Sequence, residues 1–146
     1  MNFLPNGERK RRVNRVVLDA SAVLAMILNE PGGERVDALL DALELGSDAE
    51  VFISSVNWCE ILTRMQRENL QLYGDDLLAI LAGVELVPFG RADAQVAAAY
   101  ARVSRSLSLG DRACLGLAKS KQAQAWTTER LWSQYQLDVP VELIRP

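Results

Sequence analysis

Five short apolar runs, separated by stretches of helical periodicity, constrain the fold of this chain more than any other feature. The runs cover residues 16–18, 51–54, 84–89, 123–127 and 139–144. Short apolar strands that alternate with helices are typical of a parallel sheet covered by helices on both faces. The sequence therefore predicts an α/β fold, and Pro140 within the last run predicts that this strand lies at an edge of the sheet.

The stretches between these runs predict the helices. Val36, Leu39, Leu40 and Leu43 have the i, i+3, i+4, i+7 spacing of an amphipathic helix, and Gly46 ends it. Further helices are predicted around residues 21–28, 58–65, 75–82, 92–103, 111–121 and 130–135. The chain has no internal repeat and no linker, which indicates one domain over residues 15–146.

The first 14 residues lack a hydrophobic period and contain a basic run, so they predict a flexible basic N-terminal arm. Two readings stay open for it, an unimportant extension or an electrostatic attraction to RNA. Residues 16–146 hold 11 basic and 18 acidic side chains. An acidic body is unlike a typical nucleic-acid-binding surface, and it predicts either a metal-binding cluster or a soluble surface.

The composition narrows the chemistry. The chain has no histidine, which excludes a Ser-His-Asp or Cys-His hydrolase and the common His-ligated zinc sites. Its cysteines, Cys59 and Cys114, lie in apolar helix-like stretches and predict two buried thiols in a reducing cytoplasm. No apolar run approaches the roughly 18 residues of a membrane span, so the expected location is cytoplasmic.

Four acidic residues occupy related places in the predicted fold. In a parallel sheet, the carboxyl ends of the strands and the starts of the helices that follow lie along one edge. Asp19 ends the first strand, and Glu60 lies in the second turn of the helix after the second strand. Asp111 begins the helix before the fourth strand, and Glu129 follows that strand. The sequence therefore predicts that four carboxylates share one rim of the sheet.

Each acid also has an ordinary structural role, which the sequence leaves open. Asp19 and Asp111 are placed to cap helices. Glu60 lies nearly opposite the apolar stripe of its helix, with Arg64 as an i+4 salt-bridge partner. Glu129 is an ordinary acid for the first turn of a helix. The hypothesis of a shared site rests on the four positions together.

Four segments, in this order, carry a family resemblance. They are residues 17–22 (Val-Leu-Asp-Ala-Ser-Ala), 54–60 (Ser-Ser-Val-Asn-Trp-Cys-Glu), 107–118 (Leu-Ser-Leu-Gly-Asp-Arg-Ala-Cys-Leu-Gly-Leu-Ala) and 126–132 (Trp-Thr-Thr-Glu-Arg-Leu-Trp). The chain resembles the PIN-domain family over residues 15–144, and within it the VapC-type toxin ribonucleases of type II toxin–antitoxin modules. The Leu-Ser-Leu-Gly-Asp segment, in register with the other three, is the most specific part.

The resemblance implies a three-layer α/β/α sandwich that cleaves RNA, such as tRNA or ribosomal RNA, with Mg²⁺ or Mn²⁺ in an acidic pocket. It implies Asp19, Glu60 and Asp111 as catalytic, metal-binding acids, with the hydroxyl of Ser21 beside them. The fourth acid of the family is usually Asp and here is Glu129, so its metal contact and the level of activity are open questions. The family also implies a homodimer and a cognate antitoxin protein that covers the site.

Two supporting roles complete the set of candidates. Thr127, two positions before the fourth acid, is a candidate for orienting water or a ligand. Arg112, beside Asp111, is a candidate for contact with RNA phosphates, or equally for a surface or salt-bridge role. The physical chemistry agrees with a metal site, because clustered carboxylates repel each other and a hard divalent ion relieves that repulsion.

Three other classes of function compare with the nuclease as follows. A non-catalytic PIN-like binding module, with Glu129 marking a degenerate site, stays open, and metal-dependent thermal stabilisation separates it from the nuclease. A phosphatase with an aspartyl nucleophile usually needs a second Asp two positions on, where this chain has Ser21. A P-loop NTPase is excluded because the Gly-x4-Gly-Lys-Ser/Thr motif does not occur.

Overall fold

The computed structural model describes residues 14–69 and 74–146, with the backbone alone for 74 and 75. Its strands are β1 (Arg15–Leu18), β2 (Glu50–Ser54), β3 (Val84–Val87), β4 (Gln124–Thr127) and β5 (Val141–Leu143). Its α-helices are α1 (Ala20–Ile27), α2 (Gly33–Glu44), α3 (Ser55–Arg67), α4 (Gly74–Ile80), α5 (Arg91–Ala99) and α6 (Leu109–Lys121). Two 3₁₀ helices cover Tyr100–Arg102 and Arg130–Gln134.

The five strands form one sheet in the order β3-β2-β1-β4-β5, and every neighbouring pair is parallel. β1 is central, with Val17 opposite Phe52 of β2 on one side and Ala125 of β4 on the other. The predicted α/β fold with a parallel sheet is confirmed, and β5 lies at an edge as the nearby Pro140 predicted.

Alternate residues of the strands point to opposite faces of the sheet, and each face has its own core. Val16, Leu18 and Ile53 pack in one core with residues of α1, α2, α3 and α4. Val17 and Phe52 pack in the other core with residues of α6 and the second 3₁₀ helix, and α5 closes over it. The chain is therefore a three-layer α/β/α sandwich.

Several element boundaries differ from those that the sequence predicted. The helix predicted over 92–103 tightens into a 3₁₀ turn from Tyr100, and the last two predicted strands are shorter than expected. The helix expected to begin at Asp111 begins at Leu109, with Ser108 as its N-cap. Capping chemistry decides that boundary, because Ser108 accepts the hydrogen bond that opens the helix.

Residues 1–13 of the predicted N-terminal arm lie outside the described residues. Asn14 is described, and it bonds to both neighbours of β1. Its carbonyl accepts from the Glu50 amide at 2.9 Å, and its side-chain oxygen accepts from Gln124 Nε2 at 3.0 Å. Within the described parts of the chain, no helix is long and apolar enough to cross a membrane.

The two cysteines differ from the expected pair of buried thiols. Cys114 is fully buried in α6, as predicted, and burial raises the pKa of its thiol well above the usual value. Cys59 is exposed, so the prediction was wrong for this residue. It lies on the face of α3 that turns away from Ile61 and Met65, the buried apolar residues of that helix. Both thiols are free.

Candidate active site

The sheet has a topological switch point at β1, and the candidate site lies there. The chain leaves β1 through helices of one face and reaches β4 through helices of the other, so the connections diverge at the carboxyl ends of these two strands. Ligands of open α/β sheets bind in the crevice that such a divergence creates. A cleft with a cavity volume of about 690 Å³ opens at this edge.

All four predicted acids line this cleft, namely Asp19, Glu60, Asp111 and Glu129. They come from the end of β1, the second turn of α3, the first turn of α6 and the residue that precedes the second 3₁₀ helix. Ser21 lines the cleft too. The structure thus brings together the carboxylates that the sequence placed on one rim.

Asp19 lies at the N-cap position of α1, but its side chain makes no capping hydrogen bond. The residue is only 4% exposed. Its Oδ2 atom accepts hydrogen bonds from Ser21 Oγ at 2.8 Å and from Thr127 Oγ1 at 2.9 Å. Oδ1 receives none from the described residues. The alternative role as a helix cap is therefore wrong, and one oxygen of this carboxylate is left for the cleft.

The two hydroxyls that bind Asp19 are themselves held by the backbone after β4. Ser21 Oγ accepts from the Thr128 amide at 3.1 Å, and Thr127 Oγ1 accepts from the Glu129 amide at 3.1 Å. Because each hydroxyl oxygen accepts an N–H, its own proton is available to donate to the carboxylate. Ser21 and Thr127 therefore orient Asp19 and join the tips of β1 and β4.

The negative charge of the Asp19 carboxylate is unfavourable in its buried position. Burial raises its pKa from 3.8 to about 7, and the negative charges of Asp111 and Glu60 add to the rise. The hydrogen bonds from Ser21 and Thr127 lower the pKa and offset part of this effect. A nearby cation would favour the charged carboxylate and reverse the shift.

Glu60 is held by a residue that sequence reasoning missed. Asn57 is fully buried, and its Nδ2 donates to Glu60 Oε1 at 2.8 Å and to the Gly110 carbonyl at 3.0 Å. The amide thereby ties α3 to the first turn of α6. The signal for this role was the three-residue spacing of Asn57 and Glu60 on one helix, which places both side chains on the same side.

Gly110 is the second residue that sequence reasoning missed. A Cβ atom at this position would overlap Glu60 Oε1, so the Glu60 carboxylate rests against the bare Cα. The expected ion pair of Glu60 with Arg64 is wrong, because Arg64 Nε bonds instead to Glu68 Oε1 at 2.5 Å. Burial and the charge of Asp111 raise the pKa of Glu60, while the bond from Asn57 lowers it.

Asp111 is the third residue of α6 rather than its N-cap, so the predicted capping role is corrected. Its amide donates to Ser108 Oγ at 3.1 Å, and its Oδ2 accepts from the Ser108 amide at 2.9 Å. This reciprocal pair is a capping box, which fixes the side chain in one orientation. Asp111 lines the cleft while it also closes the start of α6.

The cleft is lined by other arginines than the one that the sequence predicted. Arg112 is half-buried and is not among the residues that line the cleft. Arg64 and Arg67 line it instead, from the last two turns of α3. Their spacing of four and seven residues from Glu60 could have revealed this, because such positions share one side of a helix.

The donors at the cleft fit a hard divalent cation such as Mg²⁺ or Mn²⁺, because the candidate ligands are all carboxylate oxygens. Asn57 Oδ1 is buried and has no hydrogen-bond partner in the described part of the chain. Among residues 14–69 and 74–146, no three acidic or cysteine side chains lie close enough together to hold a metal ion. The type of donor atom therefore fits Mg²⁺ or Mn²⁺, while the carboxylates lie farther apart than the ligands of a fully assembled metal site.

The PIN-domain family profile matches residues 16–135. The match covers both strands of the switch point and all four acids of the cleft. The chain belongs to the PIN-domain family, as its sequence motifs predicted. No curated protein sequence matches the chain.

Solved structures with the same fold include components of toxin–antitoxin complexes. A toxin–antitoxin complex from Klebsiella pneumoniae superposes with a TM-score of 0.58 at 15% identity, over 78% of this chain and 86% of that chain. FitAcB from Neisseria gonorrhoeae gives 0.56 at 22% identity, over 86% and 95%. DNA-bound VapBC from Salmonella typhimurium gives 0.56 at 17% identity, over 89% and 98%. At these identities the likeness shows the shared fold.

Proposed function

We propose that this PIN-domain chain is a divalent-metal-dependent endoribonuclease that acts as the toxin of a type II toxin–antitoxin pair. The observation that carries the nuclease proposal is the environment of Asp19. This buried carboxylate is repelled by the charges of Asp111 and Glu60, and hydrogen bonds from two hydroxyl groups hold it in place. Such an arrangement is unfavourable by itself and becomes favourable when a cation binds.

Asp19, Glu60, Asp111 and Glu129 are the proposed ligands for Mg²⁺ or Mn²⁺. When bound, the ion supplies a more acidic water and positive charge against which negative charge on the phosphate develops. Ser21 and Thr127 orient Asp19, Asn57 orients Glu60, and the capping box orients Asp111. Glu129 is exposed and lines the cleft, and it would contribute a carboxylate one methylene longer than the Asp that the family usually has there.

Cleavage of purified RNA tests the nuclease proposal. The protein is incubated with tRNA or total RNA in Mn²⁺, in Mg²⁺ or in EDTA, and new 5′ ends are mapped. We expect cuts at defined positions that need the metal and are lost in Asp111→Asn. Asp37→Asn, an exposed acid on α2, is the matched control and should cleave like the wild type. Equal products in EDTA, or equal activity of Asp111→Asn, would contradict the proposal.

The toxin proposal is supported by the likeness to components of toxin–antitoxin complexes and by the sequence resemblance to VapC-type toxins. In this setting the proposed partners are an RNA substrate in the cytoplasm, a cognate antitoxin protein and a second copy of the chain. Leu78 and Ile80 of α4 and Leu86 of the edge strand β3 are 49%, 41% and 39% exposed, which gives apolar area for a protein partner.

Expression in a bacterial host tests the toxin proposal. We expect growth to stop on induction of the wild-type chain and to continue on induction of Asp111→Asn at equal protein level. Co-expression of the protein encoded next to this chain should restore growth and co-purify with it. Light scattering of the purified chain should give the mass of a dimer. Normal growth with active nuclease in the cells would remove the toxin role and leave the nuclease.

A non-catalytic PIN module is the second candidate function, and the spacing of the carboxylates favours it. Metal-linked stability separates the two. A metal site predicts that Mn²⁺ raises the melting temperature of the wild type and leaves that of Asp19→Asn unchanged. Equal melting temperatures with and without Mn²⁺, together with intact RNA, would favour the non-catalytic module.

A further inference from the structure

A second pocket lies at the opposite end of the sheet from the cleft, where the strands begin. It has a volume of about 510 Å³, and we call it the amino-end pocket. Its charged lining residues are Arg15, Glu50, Glu85 and Lys121. We propose that the basic segment of residues 9–12 (Arg-Lys-Arg-Arg) docks in this pocket of its own chain and forms ion pairs with Glu50 and Glu85.

The described chain begins beside this pocket. The carbonyl of Asn14 accepts a hydrogen bond from the Glu50 amide at 2.9 Å, and its side chain accepts one from Gln124 Nε2 at 3.0 Å. These two bonds fix Asn14 between the first residues of β2 and β4. Residue 12 is only two positions earlier in the chain, so the basic segment is tethered next to Glu50.

Glu50 and Glu85 lie on the same face of the sheet. Phe52 is the register partner of Glu85, and Glu50 lies two residues before Phe52 on β2. Alternate residues of a strand share a face, so both acids are on the face that Phe52 shares with α6. Neighbouring strands are about 4.8 Å apart, which places β3 about 10 Å from β1. A chain spans at most about 3.3 Å per residue, so about five residues before Asn14 are enough to reach Glu85.

Both carboxylates have room for a further cation. Glu50 Oε2 accepts from Arg15 Nε at 2.8 Å, while its Oε1 accepts no hydrogen bond from residues 14–69 and 74–146. Glu85 is exposed and forms no ion pair within the same ranges. A carboxylate has two acceptor oxygens, so Glu50 can bind Arg15 and a second basic side chain together.

The two cations of the pocket have other contacts, and the overall charge favours docking. Arg15 Nη1 donates to the Lys121 carbonyl at 3.2 Å, and Lys121 Nζ lies 5.0 Å from the centroid of the Phe52 ring. Residues 1–15 hold five basic side chains and one acidic side chain, while residues 16–146 hold 11 basic and 18 acidic ones. These opposite net charges attract each other, and the short tether keeps the local concentration of the basic segment high.

Docking would cover the start of an edge strand and leave the cleft open. Among the described strands, β3 pairs with β2 alone. An uncovered edge presents backbone groups that can pair with a strand of another chain, and proteins commonly cover such edges with a loop or with charged side chains. The cleft lies at the other ends of the same strands, so the docked segment is a strap over the edge and does not compete with ligands of the acids.

Paramagnetic relaxation measured by NMR on the whole chain tests the docking. A nitroxide label is attached to Asn6→Cys in a Cys59→Ser background, where the remaining thiol, Cys114, is buried. At about 0.1 M salt, where charges act over about 10 Å, we expect strong broadening of the amide signals of Glu85 and Lys121. At about 1 M salt the range of the charges falls to about 3 Å, and most of the broadening should be lost.

Charge variants separate docking from simple tethering. In the labelled chain, Glu50→Gln with Glu85→Gln should lose most of the broadening at low salt, whereas Asp37→Asn, an exposed acid of α2 outside the pocket, should keep it. Equal broadening with and without the two glutamates, or broadening that survives high salt, would overturn the proposal. A mixture of nitroxide-labelled chains with isotope-enriched, nitroxide-free chains completes the test. Broadening in that mixture would place the segment on a second copy and overturn docking within one chain.

Discussion

A buried carboxylate destabilises a folded protein unless other groups compensate for its charge, and Asp19 is only partly compensated. Ser21 and Thr127 donate to one oxygen, while Asp111 and Glu60 repel the group from across the cleft. A binding site can contain such a group, because a bound cation would offset the unfavourable burial of its charge. At the residue scale, Asp19 is therefore the group whose substitution separates stability from function.

Asp19→Asn should stabilise the metal-free protein while abolishing its response to metal. The pKa of Asp19 is about 7 in the folded protein, above its value in the unfolded chain. The ionised carboxylate therefore lowers the free energy of unfolding, with no effect below about pH 4 and the full effect above about pH 7. We expect Asp19→Asn to gain about 1–3 kcal/mol at pH 8, and the gain to vanish as the pH falls toward 4.

Urea unfolding of wild type and variant across this pH range measures the gain. In parallel, saturating Mn²⁺ at about 100 times its Kd should stabilise the wild type by about 2.7 kcal/mol and the variant by nearly nothing. Asp37→Asn on α2 is the control for loss of an exposed acid. A destabilised Asp19→Asn at pH 8 would mean that the hydroxyl contacts outweigh the burial of charge.

Gly110→Ala should displace the Glu60 carboxylate with little loss of stability. The new methyl group would occupy space now held by Glu60 Oε1, and the end of that flexible side chain can move away. We expect Mn²⁺ to bind about tenfold more weakly. In a Glu60→Gln background, Gly110→Ala should add little further loss, because the group that it displaces no longer binds the ion. Additive losses in the double variant would place the effect of Gly110 elsewhere.

At the scale of elements, the start of α6 combines a structural and a functional task. The capping box of Ser108 and Asp111 satisfies two backbone N–H donors at the helix terminus, and the same Asp111 lines the cleft. Asn57 of α3 binds the Gly110 carbonyl in this turn. The position of Asp111, one of the proposed metal ligands, therefore depends on how the helix is capped.

Ser108→Ala should destabilise the protein by about 1 kcal/mol, which is the usual cost of an N-cap hydroxyl. We expect a fall of a few degrees in melting temperature and a moderate loss of RNA cleavage, because the Asp111 amide loses its Ser108 Oγ acceptor and the first turn of α6, which carries the carboxylate, is held less firmly. Ser106→Ala, an exposed serine of the preceding loop, should change neither quantity. A loss of stability with full cleavage would show that Asp111 is oriented by something other than the capping box.

On the scale of the whole molecule, one polar cluster links the segment before β5 to the helices that cover the Val17 and Phe52 face of the sheet. The hydroxyl of Tyr100 donates to Asp138 Oδ1 at 2.5 Å, and Lys119 Nζ lies 2.8 Å from Asp138 Oδ2. These donors lower the pKa of Asp138, while burial and the nearby carboxylate raise the pKa of Tyr100. Asp138 thereby joins the 3₁₀ turn, α6 and the approach to β5.

Asp138→Asn should lower the free energy of unfolding at neutral pH and leave it unchanged in strong acid. The folded pKa of Asp138 lies below its unfolded value near 3.9, so its stabilisation is present above that value and is lost as the pH falls through the folded pKa. Because the pair is solvent-exposed, we expect less than about 1 kcal/mol at pH 7. Chemical denaturation at pH 7 and below pH 3 checks this, with Asp48→Asn, an exposed loop acid, as control. A difference from wild type that persists below pH 3 would contradict the assignment.

The sequence by itself determined the parallel α/β fold and the residues that could meet at its rim. Strand and helix periods alternate strongly enough to fix the order of elements, and a parallel sheet places all strand ends on one side. Asp19, Glu60 and Asp111 were predictable for that reason, because their places relative to the strands follow from local pattern alone.

Only the tertiary structure decided how those acids are held. The contact of Asn57 with Gly110 spans 53 positions and joins two helices whose relative placement no local pattern encodes. Likewise, Arg64 could pair with Glu60 or Glu68 by helical spacing, and the packing of Glu60 against Gly110 and Asn57 leaves Glu68 as the partner. Long-range contacts depend on the packing of whole elements, so the site's geometry appears only in the folded chain.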